Sequence, residues 1–350
     1  MVFICGLGAR SPVGRTAFAS AAAVRAAISI FNDHPYMIDK AGDPMVVAMD
    51  AFLSAELTGP RRFLELGLSA AEEALGTLRG KQRIAQQLEI LIGLPRQRTG
   101  LPDDLVNEIV HGFQEHFAKP RVEMVRCDHC GGLMALEEGW RRIANGTVSF
   151  CLVGGIDSYL EPETLEWLDA EGQLHSEANS WGFIPGEGAG FCLLCSERTA
   201  QQFGLPVRGE ILFAVTARET NLIKTESVCI GEGLTEAIRK AALGLPPKTR
   251  INKTICDLNG EPYRGNEWGY SLVRVAEHFV DPTDFMTPAD CWGDVGAASG
   301  PLLVILAAVA GLKGYANGPH TMIFTSAETG ERTAALVRCG RHGKDERAWE

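Results

Sequence analysis

The sequence is poor in basic residues: 33 lysines and arginines stand against 44 aspartates and glutamates among 350 residues, a formal net charge of −11. Binding a phosphate backbone or anionic lipid relies on clustered Lys and Arg. Nucleic acid and membrane surfaces are therefore excluded as partners. Long apolar runs are scarce as well. A membrane helix needs about 20 consecutive apolar residues, whereas the longest candidate, Pro301 to Leu312, is shorter and reads as a buried core helix. The N-terminus has no basic segment ahead of its apolar run, which Gly6 and Gly8 interrupt. No export signal is expected, and a cytoplasmic location follows.

The ten cysteines lie at 5, 127, 130, 151, 192, 195, 229, 256, 291 and 339, a scatter expected of buried thiols in a reducing compartment rather than of a disulfide framework. Cys127/Cys130 and Cys192/Cys195 have the spacing of zinc ligands. The second pair, however, lies in an apolar run typical of a buried strand. Positions three apart on a strand point to opposite faces, so the four thiols do not converge on a tetrahedral ion. No metal and no cofactor is assigned.

What is present is a globular balance, 45% apolar and 22% charged, in a chain long enough for two closely packed halves. Short apolar runs alternate with Ala- and Leu-rich helical patterns, the signature of an α/β fold with buried strands. Strands are predicted at 2–7, 89–94, 121–126, 148–153, 188–195, 208–215, 253–258, 321–325 and 333–338, and helices at 61–76, 103–117, 131–145, 233–243, 266–279 and 299–312. Asn145-Gly146 supplies a stop for the third helix. The segment 31–60 reads as a loop or cap. A break near 200–207 divides the chain into halves of similar content, 1–205 and 206–350, and the charged tail after Arg338 reads as solvated.

Several stretches, in order, carry a resemblance. They are Val2-Phe-Ile-Cys-Gly-Leu-Gly-Ala-Arg-Ser-Pro-Val-Gly14, the helix Arg62 to Leu75, and Gly132-Leu-Met-Ala-Leu136 through Asn145-Gly146 to Leu152-Val-Gly-Gly155. Gly182-Phe-Ile-Pro-Gly-Glu-Gly-Ala-Gly190 is the most specific; Asp257 to Glu267, Trp292-Gly-Asp-Val-Gly-Ala-Ala-Ser-Gly300 and Gly330 to Val337 follow. Together they resemble the β-ketoacyl synthase family over nearly the whole chain. The resemblance implies a thiolase-like five-layer α/β/α/β/α fold with two pseudo-duplicated halves, and a dimer in which the strand at 121–126 meets its counterpart.

The departures concern chemistry. In that family a cysteine at the N-terminus of a buried helix takes the acyl group, because helix dipole and free amides favour thiolate and oxyanion. Counting back from Gly155 by the family's interval places this position at His129, and Leu133 and Leu136 follow it at the family's spacing. Cys130 is one residue on, a rotation of about 100° on a helix. A local shift could bring it back as nucleophile; otherwise it is a neighbouring buried thiol. His129 could fill the old pocket or serve as a general base. Asn259 stands where the family has its first catalytic histidine, and Asp294 aligns with the second histidine or with the asparagine of the acetyl-CoA-using branch. An ionised Asp294 would oppose the developing negative charge that those groups stabilise. His320 matches no motif and reads as a packing residue.

Three functions follow from the resemblance and its departures. The first is an accessory, chain-length-factor-like subunit in fatty acid or polyketide-type biosynthesis, as a homodimer or as a heterodimer with an active ketosynthase, with acyl carrier protein or acyl-CoA as further partners. The second is an acyltransferase or acyl-processing enzyme using Cys130 or the His129/Asp294/Asn259 group. The third is a structural interaction protein on the same scaffold.

Overall fold

The computed structural model describes residues 1–80, 88–117 and 119–339; the charged tail from 340 to 350 lies outside them. Five strands belong to the first half: β1 (Val2–Arg10), β4 (Glu89–Leu94), β5 (Arg121–Arg126), β6 (Phe150–Ser158) and β7 (Glu187–Ser196). Five belong to the second: β8 (Gly209–Arg218), β9 (Lys253–Cys256), β10 (Phe285–Met286), β11 (His320–Ser326) and β12 (Glu331–Cys339). The first set pairs in the order β5-β4-β6-β7-β1 and the second in the order β10-β9-β11-β12-β8. The directions also match. Each set has two parallel pairings, β5/β4/β6 and β10/β9/β11, followed by two antiparallel ones, β6/β7/β1 and β11/β12/β8. The sets join where β1 meets β8, at Val2↔Ile211, Phe3↔Glu210 and Ile4↔Gly209, which makes one ten-stranded sheet of two equivalent halves.

The helices repeat the pattern. Against the outer face of the first sheet lie α2 (Gly59–Leu75) and α3 (Leu105–His116); the outer face of the second carries α7 (Glu232–Ala242) and α8 (Pro262–Val275). Between the sheets, α4 (Gly131–Ala144) and α10 (Ser299–Lys313) pack on each other and on strands of both, so the order is helix, sheet, helix, sheet, helix. Strand periodicity of two divides the core accordingly. On β7, Phe191, Leu193 and Cys195 face the outer cluster while Cys192 and Leu194 face the middle one; the second zinc-like pair thus lies on opposite faces. The stretch Gly296–Lys313 is 18 residues long and apolar, but 78% of it is buried between the sheets, as expected of a helix apolar all round at the centre of a protein.

The predicted elements lie where expected, with ends shifted by a few residues. The second-half helix predicted at 266–279 starts earlier, at Pro262, because proline is pre-organised for a first helical turn. The segment 31–60 is more ordered than a loop: β2 (Asn32–Ile38) and β3 (Pro44–Val47) form a hairpin, whose Met45 and Val47 bury against Leu165 and Phe183. Four short helices escaped the periodicity: α1 (Ala17–Arg25), α5 (Pro162–Ala170), α6 (Glu197–Phe203) and α9 (Ala289–Trp292). Each spans nine residues or fewer, too short for the period to stand out.

Candidate functional site

The loops after the parallel strands of both halves meet at the start of α4. Asp128 opens a single 3-10 turn, Asp128–Cys130, with φ +35°; its carboxylate accepts the Arg96 amide at 2.9 Å, which holds this strained turn. His129 follows and is buried. Its Nε2 lies 2.8 and 2.9 Å from the two carboxylate oxygens of Asp294. Asn259 Nδ2 donates to the same carboxylate at 2.6 Å, and the Gly296 amide adds a fourth contact at 2.8 Å. His129, Asn259 and Asp294 therefore form one cluster.

The Gly182–Gly190 motif places Asp294. The Asp294 amide donates to Ile184 O and its carbonyl accepts from the Gly186 amide, both at 2.8 Å. Glu187, in the centre of the motif, holds Arg62 of α2 through two nitrogens and accepts from the Asp50 amide and Ser158. The motif is thus a strap that ties the second-half loop to the first half.

Sequence reasoning missed Arg264. It is 2% exposed on the first turn of α8. It donates to Asp257 at 3.1 Å, to Ser326 O at 2.9 Å and to Glu261 at 3.3 Å, and its Nη2 lies 3.2 to 3.3 Å from both imidazole nitrogens of His129. Lys224 reaches Glu261 at 3.1 Å. Asp257, Glu261 and Asp294 face Arg264 and His129 in the buried cluster, while the exposed Lys224 bridges Glu261 to Glu328 at its rim. The one available signal was the run Asp257, Glu261, Arg264, three charged residues beside a strand and a buried helix start.

Electrostatics favour a charged pair. Burial and Arg264 oppose a charge on His129, yet Asp294 and Asp257 together outweigh both and raise the imidazole above its ordinary value. Burial likewise opposes ionisation of Asp294, while His129, Arg264 and the Gly296 amide hold its carboxyl well below the usual carboxylate range. Beside Asn259 and Asp294 the structure leaves a cavity of 10 Å³, lined also by Trp292 and Leu303. That is room for about one water. Around Asp294 the junction of the halves is packed and ion-paired, and a cavity of 370 Å³ borders the cluster at Lys224 and Glu261.

Cys130 points elsewhere. Its sulfur lies 3.2 Å from both Thr325 O and Glu331 O, between β11 and β12, and is fully buried with Cys127 and Ala327. Cys127 is pushed up, first by its hydrogen bond with Cys130 and then by burial, whereas for Cys130 burial is outweighed by hydrogen bonds from Cys127, Thr325 and Thr333, which lower it. His320, at the far end of β11, is buried in the sheet.

Residues 124–200 match the family model described as Beta-ketoacyl synthase, N-terminal domain. Over 97% of this chain and 99% of the other, a structure of a type II PKS acyl-carrier protein in complex with its ketosynthase superposes with TM-score 0.81 at 15% identity. The chain has the ketosynthase fold. The ishigamide ketosynthase/chain length factor superposes on this ketosynthase-fold chain with TM-score 0.79 at 15% identity, over 97% of it and 99% of the other. The module 6 ketosynthase of the bacillaene synthase from Bacillus subtilis 168 gives 0.74 at 16%, over 96% and 72%. No curated protein matches the sequence. Within the ketosynthase fold, His129 stands at the start of the central helix, where the resemblance puts the acyl-accepting cysteine, and among the described residues no thiol is hydrogen-bonded to it.

Proposed function

We propose that this chain is a non-condensing, chain-length-factor-like subunit that pairs with an active ketosynthase in fatty acid or polyketide-type biosynthesis. One observation supports the reading: His129, which the resemblance puts at the nucleophile position, is held by Asp294 and Arg264, and Asp294 by Asn259, with space for about one water beside Asn259 and Asp294. Attack on an acyl thioester needs a free nucleophile about 3 to 3.5 Å from the reacting carbon and donors aimed at the developing oxyanion. A closed ion pair supplies neither. His129, Asn259 and Asp294 are in this reading structural replacements, and Cys130 is a packing thiol.

The partner reading draws support from the ketosynthase/chain length factor and the acyl-carrier protein complex among the similar structures. The surface offered is β5, the end strand of the sheet order, whose outer edge has no strand partner among the described residues. An unpaired edge is a template for pairing with another chain. Acyl carrier protein or acyl-CoA would serve the partner's site, and the cytoplasm is the compartment we infer. The same proposal divides the chain at 1–205 and 206–350.

Co-expression with an active ketosynthase and sedimentation of the purified material tests it. The expected result is a one-to-one heterodimer, with acyl label confined to the partner after exposure to an acyl thioester and product formation unchanged by His129→Ala or Cys130→Ala. Label on this chain that disappears in Cys130→Ala would put the acyltransferase reading in its place.

A further inference from the structure

A second cavity, of 350 Å³, lies toward the opposite ends of the second-half strands from the ion-paired cluster. β9 enters it at Lys253 and β11 at Thr321, whereas the cluster follows their other ends at Asp257 and Ser326. Helices α1 and α10 wall it, and the small side chains Ala21, Ala307 and Ala310 leave the space open. Val24, Ile255 and Leu306 add apolar surface. A volume of this size is at the lower end of small-molecule pockets.

The mouth is cationic, although the whole chain carries a formal charge of −11. Lys253 pairs with Asp284, which also accepts from Asn317 at 2.8 Å. Arg25 is exposed, with its guanidinium 4.1 Å from the Tyr315 ring centre; among the described residues no carboxylate lies within ion-pair distance of it. An apolar cavity of a few hundred cubic ångströms with a few convergent polar groups is the usual form of a small-molecule site. The planar fork of arginine matches a carboxylate through two parallel hydrogen bonds.

We propose that this cavity binds a medium-chain aliphatic monocarboxylate, its tail against Ile255, Leu306 and Ala310 and its carboxylate on Arg25. The inference does not depend on whether the chain pairs with a ketosynthase. Titration calorimetry of the full chain with octanoate tests it, with octylamine and octan-1-ol as comparators. We expect saturable binding of one octanoate, about tenfold weaker in Arg25→Gln because a hydrogen bond to a charged group is lost, and absent in Ala310→Trp, which fills the cavity. Circular dichroism melting of both variants checks their folding; if Ala310→Trp does not fold, Arg25→Gln decides alone. No saturable heat, equal binding of octylamine or octan-1-ol, or unchanged octanoate affinity in Arg25→Gln would overturn the proposal.

Discussion

At residue scale the question is what keeps an imidazolium and a carboxylate stable out of water. Removing two charges from solvent is costly, and their attraction offsets that only with good geometry and further hydrogen bonds. Asp294 has both: His129, Asn259 and the Gly296 amide contact its two oxygens. Asp294→Ala should therefore lower stability by about 3 to 5 kcal/mol in urea unfolding, since it leaves the buried His129 beside Arg264 without its anion. The pH dependence follows from the raised imidazole. A group whose folded value exceeds its unfolded value of about 6.5 contributes fully below the latter and loses that contribution as pH rises through the former. Melting temperature should thus fall from pH 6.5 upward more steeply in the wild type than in His129→Gln; parallel curves would refute the linkage. Cys130, fully buried, should resist iodoacetamide in the native protein, scored by intact mass, and react only after unfolding.

At element scale the site depends on two central helices starting almost in contact. A Cβ on Gly155 of β6 would stand 2.2 Å from the Ala297 carbonyl oxygen, and one on Gly132 of α4 would stand 2.4 Å from the same atom. Neither glycine has a positive φ, so close approach alone requires them. The turn before α10 is fixed from the other side by Asp157, which accepts the Ala297 amide at 2.9 Å and pairs with Arg98 at 2.8 Å. Gly155→Ala should cost about 1 to 3 kcal/mol, the range for overpacking a well-packed interior, and thermal melting of the variant measures it. The sequence showed these glycines as part of a family-like pattern; the reason for them is the carbonyl of Ala297, 165 positions beyond Gly132 and 142 beyond Gly155.

At the scale of the whole molecule, the repeated strand order in both halves leaves β5 at one end and β10 at the other. β10 is only two residues long, a short edge of the kind proteins use to discourage pairing. The six-residue β5 is the longer edge, and Arg142 of α4 steadies it by contacts to Glu89 and Glu123 at 2.7 to 2.9 Å. A heterodimer through β5 should protect its outward amides from hydrogen exchange at micromolar concentration, with sedimentation at the summed mass of the two chains. A complex whose 121–126 amides exchange as freely as in the chain alone would sink the interface.

The sequence by itself determined the alternation of strand and helix, because buried strands and helices write their periods locally and glycine and proline mark their ends. Its motifs also carried the family resemblance and singled out His129, Cys130, Asn259 and Asp294. Only the tertiary structure decided their relations. Cys130 and His129 are adjacent in sequence, yet one faces β11 and β12 and the other faces Asp294. Arg264 lies 135 positions from His129 and meets its ring at 3.2 Å. Whether a histidine, an aspartate and an arginine stand free for catalysis or lock into an ion-paired cluster depends on distances of about 3 Å between distant segments. A one-dimensional pattern does not encode these, because burial and pairing are properties of the folded interior.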